Sequence, residues 1–332
     1  MYSTIYIENE VRSHSKVNSI IGRYPDARIV SCDSYSEVFN RSSQDFRLQK
    51  QLPSLILACK NQNHVLRAPE GYGVGSAHNY YFSTMLNCVY DCRYCFLQGM
   101  YRSAHHVVFV NFDDYWNAIS ATVEAHCNDD EVWFFSGYDC DSLAMEPVVG
   151  FADYFVKAFE SHPNAMLELR TKSTQIRSML SRRPLANVVT AFSMTPQEIS
   201  SRLEHKVPTV SKRIEAMSNL QKQGWPLGLR FDPLIYQDEF KTAYRGLFDA
   251  IFNKLDSNLI HSVSVGAFRL PRSFYRKMVN LYPDDKFLSL PFESSSGMVS
   301  YPKNMENEMI DWCVESLAGY IDSDRIFRAT IE

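Results

Sequence analysis

Apolar positions along this chain change their rhythm near residue 75. Before it, three short runs read as strands: Thr4-Ile5-Tyr6-Ile7, Arg28-Ile29-Val30-Ser31 and Leu55-Ile56-Leu57-Ala58. The polar stretch 40–49 has few apolar anchors and reads as a loop or irregular helix. Glu70-Gly71-Tyr72-Gly73-Val74-Gly75 reads as a connection. Beyond it, short apolar runs alternate with longer amphipathic stretches. Strands are expected over 80–85, 131–135, 166–170, 188–192, 226–231 and 262–267, and helices over 112–125, 148–161, 173–181, 210–223 and 241–255. Strand–helix alternation predicts parallel pairing and an α/β fold. Six such units fit an open, partial (β/α)6 barrel better than a closed eight-unit one. The expected organisation is a small N-terminal α/β unit over 1–75, then the partial barrel with a C-terminal extension over 76–332. In barrels of this kind chemistry sits at the C-terminal ends of the strands.

The 332 residues, 45% of them hydrophobic, are ample for a sizeable core. With 34 Lys and Arg against 38 Asp and Glu, the net charge of −4 argues against binding nucleic acid by overall charge. A local basic surface would be needed instead. No apolar run approaches the length of a membrane span, and the first ten residues do not read as a signal peptide. The expectation is a soluble, cytoplasmic protein with no membrane partner.

Eight cysteines are present, and in a reducing cytosol they are not expected to form a disulfide framework. Cys88, Cys92 and Cys95 fall within eight residues, just after the first barrel strand, in the order C-x3-C-x2-C. A structural zinc site favours four closed ligands, and no second C-x2-C pair or C-x-x-H partner exists. A thioredoxin-like pair would leave Cys88 idle. Three thiolates on one loop suit a [4Fe–4S] cluster with one iron open to a small ligand. Zinc binding or plain burial remains the alternative.

This spacing resembles the signature of the radical S-adenosylmethionine superfamily. Cys92-Arg93-Tyr94-Cys95-Phe96-Leu97-Gln98 is similar to the cysteine loop of the spore photoproduct lyase family. Tyr6-Ile7-Glu8, the strand at 55–58 and the order of later strands extend the likeness over most of the chain. The resemblance implies a partial barrel, a cluster on Cys88, Cys92 and Cys95, S-adenosylmethionine as cofactor, and a thymine dimer photoproduct in DNA as substrate. It also implies a one-electron donor such as flavodoxin or ferredoxin. Carried over by position, Lys172 faces the cofactor carboxylate, Ser193 helps hold the cofactor, and Tyr94 is the aromatic beside the third cysteine. Without the resemblance, Lys172 reads equally well as a surface lysine, Ser193 as a loop hydroxyl and Tyr94 as core.

The chain departs from the family in three places. Where the family has a hydrogen-donating cysteine after the second strand, this loop has Tyr138, with Cys140 two residues later. Cys140 reads either as a displaced donor or as an inert buried thiol. The tyrosine that follows the third cysteine is here Phe96, and a basic, aromatic segment near the C-terminus is replaced by Glu293-Ser294-Ser295-Ser296-Gly297-Met298. These departures leave open a related radical enzyme with another substrate, or a non-catalytic iron–sulfur protein. After the sixth strand, Arg269, Arg272 and Arg276 are interleaved with aromatics and resemble the lyase segment beside DNA; a helix with a solvated basic face is the plainer reading.

Overall fold

The structure, a computed structural model, describes residues 2–69, 71–126 and 131–329. Glu70 of the glycine-rich segment and Cys127 lie outside the described residues. Six parallel strands form the expected half-barrel: β1 (His78–Tyr81), β2 (Val132–Ser136), β3 (Ala165–Thr171), β4 (Val188–Ser193), β5 (Leu227–Leu234) and β6 (Ile260–Ala267). They pair in sequence order, with register partners such as Leu167–Val188 and Phe192–Leu229. Two further strands, which the apolar pattern does not announce, widen the sheet to eight. Ile326–Arg328 adds a parallel strand beside β6, and Leu66–Arg67 pairs antiparallel with β1.

Alternation along the strands divides the core. Val132 and Phe134, and Leu167 and Leu169, face the large cluster beneath the helices. Trp133, Phe135, Met166 and Val189 pack on the other face with Val74 and with the ring of Tyr72. That second face also carries charge. Glu168 and Arg230, both without exposed side-chain surface, pair at 2.6 Å, and Arg170 reaches the same carboxylate at 2.9 Å. A buried pair of this kind tolerates loss of neither partner alone.

The second sheet has five strands, in the order Arg28–Cys32, Thr4–Glu8, Leu55–Ala58, His106–Phe109 and Met85–Leu86. Residues 1–75 supply three of them; the other two come from after residue 76. The expected strand at 80–85 is really two, because the chain leaves the barrel sheet after Tyr81 and joins the N-terminal sheet at Met85.

Helices Phe112–Ala125 and Val210–Gln223 form where periodicity predicts them. The stretch 148–161 is broken by Gly150 in the left-handed region, and the Glu146 carboxylate accepts the Ala152 and Asp153 amides that open the next helix. Within 173–181 only Arg177–Leu180 is helical. The Ser173 and Thr171 hydroxyls there accept backbone N–H groups, an alternative to the helix ladder. Among the described residues no helix is long and apolar enough to cross a membrane.

Candidate active site

The cysteine loop is held on three sides. Asn87, at φ 65°, turns the chain out of the N-terminal sheet, and its amide donates to the carbonyls of Ser103 (2.7 Å) and His105 (2.8 Å). Asp91-Cys92 forms an antiparallel bridge with Glu204-His205, and Arg93 N–H donates to Leu203 at 2.8 Å. Cys95 N–H closes a turn on the Cys92 carbonyl at 3.1 Å. The Gln98 amide then donates to Asp91 (2.7 Å) and to the Cys92 carbonyl (3.0 Å), and accepts from the Tyr282 hydroxyl at 3.0 Å. Gly99 lets this segment meet the helix Arg272–Leu281: a Cβ there would stand 2.4 Å from the Phe274 carbonyl oxygen.

All three thiols line one cavity of about 600 Å³, at the C-terminal ends of the barrel strands. Burial pushes Cys88 up to about 12 and Cys92 well above the ordinary thiol range. Cys95 is raised by the same cause, against the pull of the Leu97 amide and Lys172. The Tyr90 N–H points at Cys88 Sγ from 3.4 Å. Buried thiols with amide donors want a cationic centre to become thiolates. A lone tetrahedral zinc would draw its sulfurs to within about 3.8 Å of one another. Among the described residues no group of three Cys, His, Asp or Glu side chains is gathered for a single ion. Three thiols on one loop, all lining one cavity, suit a cubane that would leave one iron open to that cavity.

The rest of the cavity wall is built strand by strand. Beyond β2, Gly137 turns at φ +81°; a Cβ would stand 2.6 Å from Ser142 Oγ and 2.8 Å from the Arg170 carbonyl. Asp141 stitches this loop to the end of β3. It accepts from Thr171 Oγ1 (2.7 Å), Lys172 N–H (2.6 Å), and the Leu143 and Ala144 amides. The clamp leaves the Lys172 ammonium 5.5 Å from the centre of the Tyr94 ring. Burial opposes the charge on Lys172, but Cys92 and Glu204 outweigh it and raise the amine. Ser193, at the end of β4, and Asp232, on β5, join the same wall.

A spore photoproduct lyase family model matches residues 75–289, well over half of the chain. The chain belongs to the spore photoproduct lyase family. That family lies within the radical S-adenosylmethionine superfamily and uses a [4Fe–4S] cluster with S-adenosylmethionine. Spore photoproduct lyase from Clostridium acetobutylicum is 20% identical over 259 residues, covering 75% of this chain and 76% of that protein. The Bacillus subtilis lyase is 22% identical over 247 residues, covering 71% and 70%. A solved lyase double mutant with bound AdoMet and dinucleoside spore photoproduct superposes with a TM-score of 0.86 at 15% identity, over 100% of this chain and 99% of that one. Another lyase structure, complexed with the same dinucleoside, gives 0.84 at 14% identity with the same coverage.

Within this lyase-family site, the sequence-expected residues Cys88, Cys92, Cys95, Tyr94, Tyr138, Cys140, Lys172, Ser193 and Arg269 all line the one cavity. The three arginines separate. Arg269 is turned inward onto Asp232 (3.2 Å) and the Ala267 carbonyl (2.9 Å), whereas Arg272 and Arg276 are exposed on their helix. Tyr138 sits among aromatics, with ring centres 4.6 Å from Tyr81, 5.5 Å from Phe96 and 5.8 Å from Tyr72. Cys140 is packed close enough to Cys88 and Asp139 for their charges to act on it; burial first, then these neighbours, raise its thiol.

Sequence reasoning missed the support beneath Tyr94. The Tyr94 hydroxyl donates to Glu204, whose second oxygen accepts from Arg213 (2.6 Å) and Ser200 (2.8 Å). Arg213 also donates to the Ser193 carbonyl at 3.0 Å, so one buried guanidinium ties two cavity residues together. Glu204 and Arg213 have no exposed side-chain surface. Arg213 at an apolar position of its helix, on the face of Val210, Ile214 and Met217, was the available signal; Glu204, in the mostly polar run at 202–206, gave none.

Proposed function

We propose that this protein reductively cleaves S-adenosylmethionine and uses the radical to repair a thymine dimer photoproduct in DNA. The observation that carries this reading is the convergence of three cysteines, Lys172, Ser193, Tyr138 and Cys140 on a single cavity at the strand ends. Support also comes from the solved relative that holds AdoMet and dinucleoside spore photoproduct together.

Cys88, Cys92 and Cys95 would hold three irons as thiolates. When bound and given one electron by a carrier such as flavodoxin or ferredoxin, the cluster would supply the reducing power for cleaving S-adenosylmethionine. Lys172 carries the ammonium that suits the cofactor carboxylate, a charge-assisted contact in a buried site. Tyr94 is kept rigid by Glu204 and offers a ring face beside the third cysteine. Ser193 offers a hydroxyl from the end of β4. Arg272 and Arg276 neutralise phosphates while the lesion leaves the base stack to reach the cavity.

Hydrogen return falls to Cys140 or Tyr138. Either one gives its S–H or O–H hydrogen atom to the product radical, leaving a thiyl or phenoxyl radical. The hydrogen atom first taken from the lesion would reside in the methyl group of 5′-deoxyadenosine; returned from there to Cys140 or Tyr138, it would leave the deoxyadenosyl radical free to attack another lesion or to rejoin methionine and give back its electron, and 5′-deoxyadenosine that escapes before this return is what an assay would detect. The test is anaerobic reconstitution with iron and sulfide, then dithionite, S-adenosylmethionine and dinucleoside photoproduct. Thymine monomers and 5′-deoxyadenosine are expected together. A second reading, a related radical enzyme with another substrate, is favoured by Phe96, which puts a ring without a hydroxyl against Tyr138. 5′-Deoxyadenosine without thymine monomers would select that reading, and absence of both would reject radical chemistry. In the same assay, Cys140→Ala and Tyr138→Phe separate the two donors: the true donor's variant loses clean monomer and gains a side product.

A further inference from the structure

The short helix Phe46–Gln51 forms a wall of the cysteine loop. Lys50 donates to the Tyr90 carbonyl at 3.3 Å and lies 3.9 Å from Asp91, and Gln49 accepts the Ala104 amide at 2.8 Å. Yet this helix and its end are unusually greasy outside. Leu48 is 57% and Leu52 72% exposed, two of the five exposed large hydrophobics among the described residues. Positive charge surrounds them. Arg47 is exposed over the Tyr282 ring at 5.9 Å, Arg93 covers the same ring at 4.0 Å, and exposed Lys206 donates to the Lys50 carbonyl at 2.9 Å. The nearby acids are mostly occupied: Asp91 by Lys50, Arg93 and Gln98, Glu204 by Arg213, and Asp45 as the cap of the helix; Asp284, next to Tyr282, is exposed.

We propose that this face, centred on Leu48 and Leu52 and rimmed by Arg47 and Lys206, is the docking surface for a small acidic electron-carrier protein of the flavodoxin class. The inference rests on the radical-enzyme reading, because that chemistry needs one external electron per cleavage. Two observations favour this occupant. A basic rim on a chain of net charge −4 selects an acidic partner and steers it at low salt. Exposed leucines at the centre suit a protein face, whereas nucleic acid would find phosphates matched only at the rim. The docked partner would lie on the outer face of the helix whose Lys50 reaches the Tyr90 carbonyl and Asp91, between Cys88 and Cys92, so one short helix would stand between it and the cysteine loop.

The test measures binding of oxidised flavodoxin to the reconstituted full chain by titration calorimetry at low and high salt. Arg47→Glu and Lys206→Glu should each raise Kd about tenfold at low salt, with the difference shrinking as salt screens the charges. Leu52→Ser, on an exposed position that leaves the core untouched, should raise Kd at both salt levels. Flavodoxin-driven 5′-deoxyadenosine formation should fall in parallel, while dithionite-driven formation stays at the wild-type rate. Unchanged Kd in Arg47→Glu and Leu52→Ser overturns the proposal, as does weakening of duplex DNA binding in place of flavodoxin binding. If wild type fails with dithionite, the radical reading falls, and the calorimetry still decides the surface.

Discussion

Replacing Glu204 with Gln isolates the charge that holds Tyr94 directly and Ser193 through Arg213. In wild type the carboxylate takes three hydrogen bonds: the Tyr94 hydroxyl, Ser200 Oγ and Arg213 Nη2. An amide keeps one acceptor oxygen but turns a donor toward the other side, and Arg213 stays buried without a counter-charge. Removing one partner of a buried ion pair costs about 3–5 kcal/mol. The retained amide contact offsets about 1 kcal/mol, so a net loss of about 3 kcal/mol is expected. With an m-value of about 3 kcal/mol per molar urea, the midpoint should fall by about 1 M. Burial alone would raise the Glu204 carboxyl, but Arg213 and Lys172 outweigh it and hold it below its ordinary value. A depressed folded-state value gives stability that is present above the unfolded carboxylate range, about 4.3, and lost as pH falls toward the folded value. The gap between wild type and Glu204→Gln should therefore be full at pH 7 and close in acid. Pairing Glu204→Leu with Arg213→Met should recover most of the loss, because the charge goes with its partner. Urea curves followed by tryptophan fluorescence under anaerobic reducing conditions provide the readout. A midpoint shift under a fifth of that size, or strict additivity in the double variant, would refute the reasoning.

Gly99→Ala should drive the cysteine segment and the helix at 272–281 apart, since its Cβ meets backbone rather than a movable side chain; a loss of about 1–3 kcal/mol in unfolding experiments is expected. Lys172→Met should leave cluster iron content unchanged while S-adenosylmethionine binding weakens by about 10- to 100-fold, as fits loss of one charge-assisted contact; equal affinity would remove Lys172 from the cofactor site. Replacing Arg272 and Arg276 together by Ala should lower the slope of log affinity for duplex DNA against log salt by about 2, at about 0.9 per phosphate. An unchanged slope would mean that these exposed arginines touch no phosphates.

The fold was legible wherever one local rule decided. Five of the six barrel strands lie within three residues of their expected bounds, because each is a short apolar run between amphipathic stretches; the first, expected over 80–85, runs over His78–Tyr81. Long-range pairing was not. Ile326-Phe327-Arg328 is too short and mixed to announce a seventh parallel strand, and only its partner Val263–Val265 makes it one. The break between Tyr81 and Met85 was invisible for a related reason: the residues keep one strand-like pattern while changing sheets. At the site, the cysteine spacing and the family likeness carried nine residues to the cavity. The buried pairs Glu168–Arg230 and Glu204–Arg213 stayed hidden, since each charge is separated in sequence from the partner that makes its burial possible. Arg269 was grouped with its exposed neighbours because Asp232, which turns it inward, lies on another strand.

The anchoring of residues 87–98 has a bearing on life in air. Asn87, the bridge at Asp91-Cys92 and Gln98 are all fastened to scaffold that owes nothing to iron. In small zinc domains, by contrast, metal loss and unfolding are one event. Here oxygen damage should bleach the protein and leave its shape intact, with the empty nest ready to be refilled by fresh iron and sulfide.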